Sequence, residues 1–277
     1  MTDGFIKTAA GTIDVQVADV QTNTDTILAR VRQADAAGVD LLTLPELCLT
    51  GYTCGDLFFS DCLLGAVEPA LQAIVEASKA LYPVVAVGLP LRFGGKLYNC
   101  AAVVHAGRIL GVVPKEHLPN SGEFYERRWF EPGHSAPDTV VLCGQSVPVG
   151  QNLVFDCRRF SFGIEICEDL WVPAPPSASL CMGGALLIAN PSASNELVTK
   201  HRYRCELISQ QSARCLCGYV YAGAGYGEST TDLVFSGYAG VYENGRALAE
   251  NERFARDNSF AVADVDMERL RFKRRQS

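Results

Sequence analysis

The chain has 277 residues, 48% of them hydrophobic and 20% charged, with a formal net charge of −7 at pH 7. That length buries a large core and that composition is ordinary for a folded protein, which excludes a disordered chain. The acidic balance, with no basic stripe before the last residues, excludes a nucleic-acid binder.

Phe5–Ala10 reads as a first strand. Thr22–Ala37 carries a helical period through Ile27, Val31 and Ala34 after an Asn/Thr/Asp capping cluster, and stops at Gly38. Val39–Leu44 is a short apolar strand closed by Pro45, and a second helix over about 64–81 places Leu71, Ile74, Val75 and Ser78 on one side. Val84–Leu89 reads as a buried strand, and Leu97–His105 with Arg108–Val113 as a hairpin around Ala106-Gly107. Further strands are expected at about 139–143, 152–156, 160–166 and 184–190. A long helix over Glu196–Cys217 leads into the strand Tyr219–Ala222. Val234–Tyr242, Arg246–Ala249 and Phe260–Val265 close the chain as antiparallel hairpins around Asn244-Gly245. Buried strands alternating with helices give a mixed α/β layered sandwich in one domain. Eleven scattered cysteines, an odd number without framework spacing, read as buried thiols in a reducing cytoplasm. No leader or apolar run of about 18 residues points to a membrane or to secretion.

Three turns put a reactive residue directly after a buried strand, the edge where α/β sheets place their sites. Phe160, Phe162, Ile164 and Ile166 alternate into Cys167, which is flanked by Glu165, Glu168 and Asp169. Those acids raise a thiol pKa, so a nucleophilic Cys167 needs a base and a cation beside it. Leu44-Pro45-Glu46 supplies a carboxylate at the end of an apolar strand, and Val113-Pro114-Lys115 supplies an ammonium. Taken singly, Glu46 reads equally as a solvated loop acid, Lys115 as a surface lysine paired with Glu116, and Cys167 as core packing.

Pro45-Glu46, Pro114-Lys115 and Glu165-Ile166-Cys167-Glu168-Asp169 together resemble the Glu–Lys–Cys triad of the nitrilase, or carbon–nitrogen hydrolase, superfamily. The flanks Leu44–Phe58, Lys115–Asn120 and Glu123–Phe130 are similar to the glutaminase domain of glutamine-dependent NAD synthetases. The resemblance implies a four-layer α-β-β-α sandwich over residues 1–277. It implies that Glu46 is the base, Cys167 the nucleophile and Lys115 the oxyanion donor, helped by a backbone N–H at the Cys167 turn. Glu123 would orient the lysine and substrate. Glu168 would meet the glutamine ammonium, and Ser194 its carboxylate. Lys200 stands where the family leads one to expect an arginine, so Arg202 or Arg204 would share that carboxylate. Ser121 replaces a pocket tyrosine.

The resemblance further implies glutamine as substrate, an NAD synthetase domain as partner and assembly as a homo-oligomer. It implies no cofactor in this chain, with ATP and deamido-NAD used only by a synthetase domain. A Ser-Gly-Gly-x-Asp-Ser phosphate loop does not occur between Met1 and Ser277, and residues 269–277 read as the start of a linker to such a domain. Two other readings remain: a stand-alone amidase on another small amide, and a non-catalytic docking subunit. His201 and Cys205 share a helix face, but Cys215-x-Cys217 lacks the usual two-residue spacing, so no metal is expected. Gly223-Ala224-Gly225-Tyr226-Gly227-Glu228 imitates a nucleotide motif without its strand–turn–helix context and reads as a loop near the catalytic mouth.

Overall fold

The computed structural model describes residues 4–230, 232–256 and 260–276. The chain opens with strand β1 (Phe5–Gly11), helix α1 (Val20–Ala36) and the short strand β2 (Leu41–Thr43). The capping cluster acts through Asp19, whose carboxylate accepts from the Thr22 N–H at 3.0 Å and from its hydroxyl at 2.7 Å. Helix α2 (Asp61–Ala77) precedes the meander of β3 (Val84–Phe93), β4 (Lys96–His105) and β5 (Arg108–Pro114). The short hairpin β6 (Thr139–Leu142) and β7 (Gln145–Pro148) leads to β8 (Phe155–Asp156), β9 (Ser161–Ile164) and helix α3 (Pro176–Met182). Then come β10 (Leu187–Ser192), helix α4 (Lys200–Arg214), β11 (Gly218–Gly223), β12 (Ala239–Glu243), β13 (Arg246–Glu250), β14 (Phe260–Asp266) and helix α5 (Met267–Gln276).

Two six-stranded sheets carry the fold, in the orders β14-β1-β2-β3-β4-β5 and β13-β12-β11-β10-β9-β8. The period of two explains the layers. In β3, Val84 and Ala86 enter the core between the sheets, where they join Phe162, Leu187, Ala189 and Val220. Val85 and Val87 face the other way, into a core with Ile27 and Val31 of α1 and Leu71 and Ile74 of α2. On the far side, Ile188 and Tyr219 pack against Leu180 of α3 and Ile208 of α4. Strands buried on both faces read as continuous apolar runs. The expected α-β-β-α order is therefore the observed one, in a single domain. No single helix among the described residues is long and apolar enough to cross a membrane.

The structure departs from the sequence reading where pairing is non-local. Asn244 (φ 45°) and Gly245 (φ 88°) do turn β12 into β13. β14 then leaves that hairpin and pairs antiparallel with β1 in the other sheet, with Ile6 opposite Val265. Both side chains are buried there, which a place beside the exposed β13 would not provide. The long helix is shorter than expected: Thr199, at φ 71°, holds its start at Lys200, and Leu216, at φ 46°, turns the chain out after Arg214. Residues 269–276, expected as the start of a linker, belong to α5, whose Met267 and Leu270 are buried in the core between the sheets.

Candidate active site

β2, β5 and β9 end on the same side of the double sheet, and each delivers one member of the triad. After β2 the chain turns sharply through Pro45, Glu46 and Leu47 against β3. A Cβ on Gly88 would sit 2.3 Å from the Pro45 oxygen and 2.4 Å from the Leu47 nitrogen, so only glycine permits this approach. Glu46 is fully buried. Its Oε1 accepts from Lys115 Nζ at 2.6 Å and from Asn99 Nδ2 at 2.7 Å, and its Oε2 accepts from the Ala193 N–H at 2.8 Å. It is no solvated loop acid.

Lys115 follows β5 and is also fully buried. Its ammonium lies between two carboxylates, donating at 2.6 Å to Glu46 Oε1 and at 2.6 Å to Glu126 Oε1. Burial alone would lower its pKa, but Glu126 and Glu46 hold it well above the ordinary lysine value. The surface alternative fails, because Glu116 pairs with His134 at 2.7 Å. Glu126 also accepts from the Tyr52 hydroxyl at 2.8 Å and from Asn99 Nδ2 at 3.3 Å. Burial pushes its carboxyl upward, and the Lys115 charge pulls it partly back. This corrects the reading of Glu123. The acid that orients the lysine is Glu126, three residues later, while Glu123 is half-buried and bonds the Asn195 amide.

Cys167 opens a 3-10 turn, Cys167–Leu170, and takes a φ of 47°, left-handed for a non-glycine residue. Such a conformation costs about 1–3 kcal/mol and persists only where its surroundings enforce it. Asp169 does the enforcing. Its Oδ2 accepts from the Ile166 N–H at 2.9 Å, and its Oδ1 meets the N–H and Nδ1 of His117 at 2.8 Å each. One carboxylate thus joins the Cys167 turn to the chain leaving Lys115. Burial pushes the Cys167 thiol far up, Glu46 adds to this, and Lys115 opposes it. A thiol held up in this way needs a base to take its proton if it is to act as a nucleophile. Of the acidic neighbours, Glu165 faces away, accepting from Tyr219 Oη at 2.5 Å and the Ser177 N–H at 2.7 Å. Burial raises its carboxyl to about 7. Glu168 is half-buried, raised by burial and lowered by Lys115 and Lys200.

Ser194 is buried in the loop after β10, and Lys200 begins α4. The Lys200 ammonium bonds Asn195 Oδ1 at 2.5 Å and lies 5.4 Å from the Trp171 ring centre and 5.7 Å from that of Phe124. Burial lowers its pKa. The expected arginine helpers are engaged elsewhere: Arg204 pairs with Glu196 at 2.6 Å, and the exposed Arg202 pairs with Glu206 at 3.0 Å. Asn99, Glu126, Asp169 and Glu228 carry roles the sequence reading did not assign. Glu228, in the glycine-rich loop, accepts from the Tyr52 N–H at 2.6 Å and from the Thr53 N–H and hydroxyl at 3.0 and 2.8 Å. It holds the turn that follows Glu46. Asn99 had a signal, an amide inside the otherwise apolar run Leu97–Val104.

Residues 7–275 match the family described as carbon-nitrogen hydrolase. A glutamine-dependent NAD(+) synthetase of Mycobacterium tuberculosis (strain H37Rv) is 44% identical over 274 residues, which is 98% of this chain and 40% of the relative. That of Thermotoga maritima is 31% identical over 265 residues, 95% of this chain and 42% of the relative. The chain thus spans less than half the length of these curated relatives. Among solved structures, a glutamine-dependent NAD(+) synthetase from Cytophaga hutchinsonii aligns with a TM-score of 0.83 at 30% identity, over 94% of this chain and 43% of that one. Saccharomyces cerevisiae Nit3 shares the fold at a TM-score of 0.79 and 18% identity, over 99% and 94% of the two chains. With Glu46, Lys115 and Cys167 following three strands that end on one side of the double sheet, this chain belongs to the carbon–nitrogen hydrolase family.

Proposed function

We propose that the chain hydrolyses the side-chain amide of glutamine through a cysteine thioester and passes the ammonia to an NAD synthetase domain. The observation that carries the chemistry is the buried Glu46–Lys115–Glu126 cluster, whose charges act on Cys167. Glu46 takes the Cys167 proton as sulfur attacks the amide carbon. Lys115 Nζ and a backbone N–H at the turn meet the developing oxyanion. Glu46 returns the proton to the departing nitrogen, ammonia leaves, and a glutamyl thioester remains. Water, deprotonated by Glu46, then attacks the thioester, and the products are glutamate and the restored thiol. Glu168 receives the substrate ammonium; Ser194 and Lys200 receive its carboxylate. The names of the long relatives support glutamine and the synthetase partner. ATP and deamido-NAD act in that synthetase domain. Eleven free thiols fit a reducing compartment such as the cytoplasm.

The test is a panel of glutamine and other small amides, with acid-quenched intact mass to catch the thioester. Glutamine should be preferred and should leave a glutamyl adduct on Cys167, with slow turnover that rises when a separately expressed synthetase domain is added. Preference for another amide, with turnover indifferent to that domain, would transfer the reading to an independent amidase. No turnover of any amide, with or without the domain, would leave a docking role.

A further inference from the structure

His201 and Cys205 stand one turn apart on α4, and Glu250, the last residue of β13, faces them. The Cys205 Sγ lies 3.7 Å from each His201 ring nitrogen and 3.8 Å from Glu250 Oε1. One donor atom from each residue lies within 4.8 Å of the other two. A tetrahedral zinc ion has bonds of about 2.3 Å to sulfur and about 2.1 Å to nitrogen or oxygen, which puts its sulfur-containing edges at about 3.6 Å. The observed separations differ from that by only a few tenths of an ångström, within reach of side-chain rotation. The sequence shows the helical pair but not the third ligand, which comes from a strand 45 residues beyond Cys205.

The surroundings suit an ion. Tyr238 Oη donates to Glu250 Oε1 at 2.6 Å and lies 2.6 Å from Tyr242 Oη, which itself is 3.3 Å from the same carboxylate oxygen. Partners of this kind orient a ligating carboxylate. The His201 ring stands edge-on to Tyr238, with centres 4.9 Å apart. The nearby cations Arg204 and Arg253 are matched by Glu196, at 2.6 and 3.7 Å. His201 and Cys205 are half-buried and Glu250 is exposed, so an ion has a path in. We propose that His201, Cys205 and Glu250 form a binding site for a borderline-soft divalent cation of the zinc class, with water in the fourth position. A thiolate, an imidazole and one carboxylate select against the hard cations calcium and magnesium. Binding releases the Cys205 proton. The ion ties β13, an edge strand, to the helix whose first residue, Lys200, reaches the active-site mouth.

The test is titration of the reduced, metal-free chain with Co²⁺, read by absorption, followed by competition with Zn²⁺ and Mg²⁺. The expected result is one Co²⁺ per chain with tetrahedral visible bands and a thiolate charge-transfer band, displaced by Zn²⁺ and untouched by Mg²⁺. Zn²⁺ should also raise the melting temperature. Cys205→Ser and Glu250→Gln should lose the bands and the Zn²⁺-induced shift; their metal-free melting temperatures establish that they fold. The Cys181→Ser/Cys217→Ser double variant should keep both responses. Absence of the bands in the parent chain overturns the site. So does their persistence in Cys205→Ser, or their loss in the double variant.

Discussion

Lys115 is the residue on which the local balance of charge depends. Two buried carboxylates face one ammonium, and removing the ammonium leaves both without their cation. Lys115→Ala should cost about 3–5 kcal/mol of stability in urea unfolding at pH 7, the loss typical when one partner of a buried pair is deleted. Amide cleavage should separately slow by about 3 kcal/mol of barrier, measured in the burst of ammonia, because an oxyanion donor is gone. Cys167→Ala should abolish turnover with little change in melting temperature, since only sulfur is lost from a turn held by Asp169. Glu126→Gln should lower kcat on the order of 10²-fold by misplacing Lys115, whereas Glu123→Gln should act mainly on KM. Equal effects of the two on kcat would return Glu123 to the lysine. The placement of Glu46, Lys115 and Cys167 was legible in the sequence because each follows an apolar strand, where a polar or reactive residue breaks the pattern. Glu126 and Glu123 share one irregular loop without a period, so nothing local says which of them folds back onto Lys115.

At the scale of elements, the link that matters joins the exits of β5 and β9 through His117 and Asp169. The hydrogen bond to Asp169 raises the His117 pKa above its ordinary value of 6.5, against burial, with the Asp169 charge adding to the rise. A histidine raised on folding adds stability that is fully present below its unfolded pKa and is lost as pH climbs through the folded one. The melting-temperature difference between the parent chain and His117→Gln should therefore be largest below pH about 6.5 and shrink above it. A gap that widened with pH would remove the imidazolium from this link. Most strands and helices α1, α2 and α4 were readable from period and punctuation, as with Ala106-Gly107 and Asn244-Gly245, whereas α3 and α5 were not. The partner of β14 was not, because a strand apolar on one face fits either sheet until the side chains opposite it are known.

For the whole molecule, α5 belongs to the fold and not to its periphery. Leu270 is completely buried among residues of both sheets, and Arg274 donates to the carbonyls of Cys181, Ala185, Cys215 and Leu216 at 2.7–3.2 Å. Leu270→Ala should lower stability by about 2–5 kcal/mol in urea unfolding, as for other buried leucines. A change below about 0.5 kcal/mol would make α5 an appendage. The layered architecture was legible because its central strands are apolar on both faces. The docking of α5 was hidden, since the run with Arg271, Lys273, Arg274 and Arg275 read in sequence as the start of a linker.

The pairing of β14 with β1 also has a consequence in time. Thr8 waits for Ala263, 255 positions later, and β1 has one open flank until β14 has left the ribosome. Pairings this distant make folding slow and leave an unsatisfied strand border during synthesis. A nascent chain stalled before Phe260 presents that border to its neighbours on the same messenger, and chaperones that shield extended segments become its natural company.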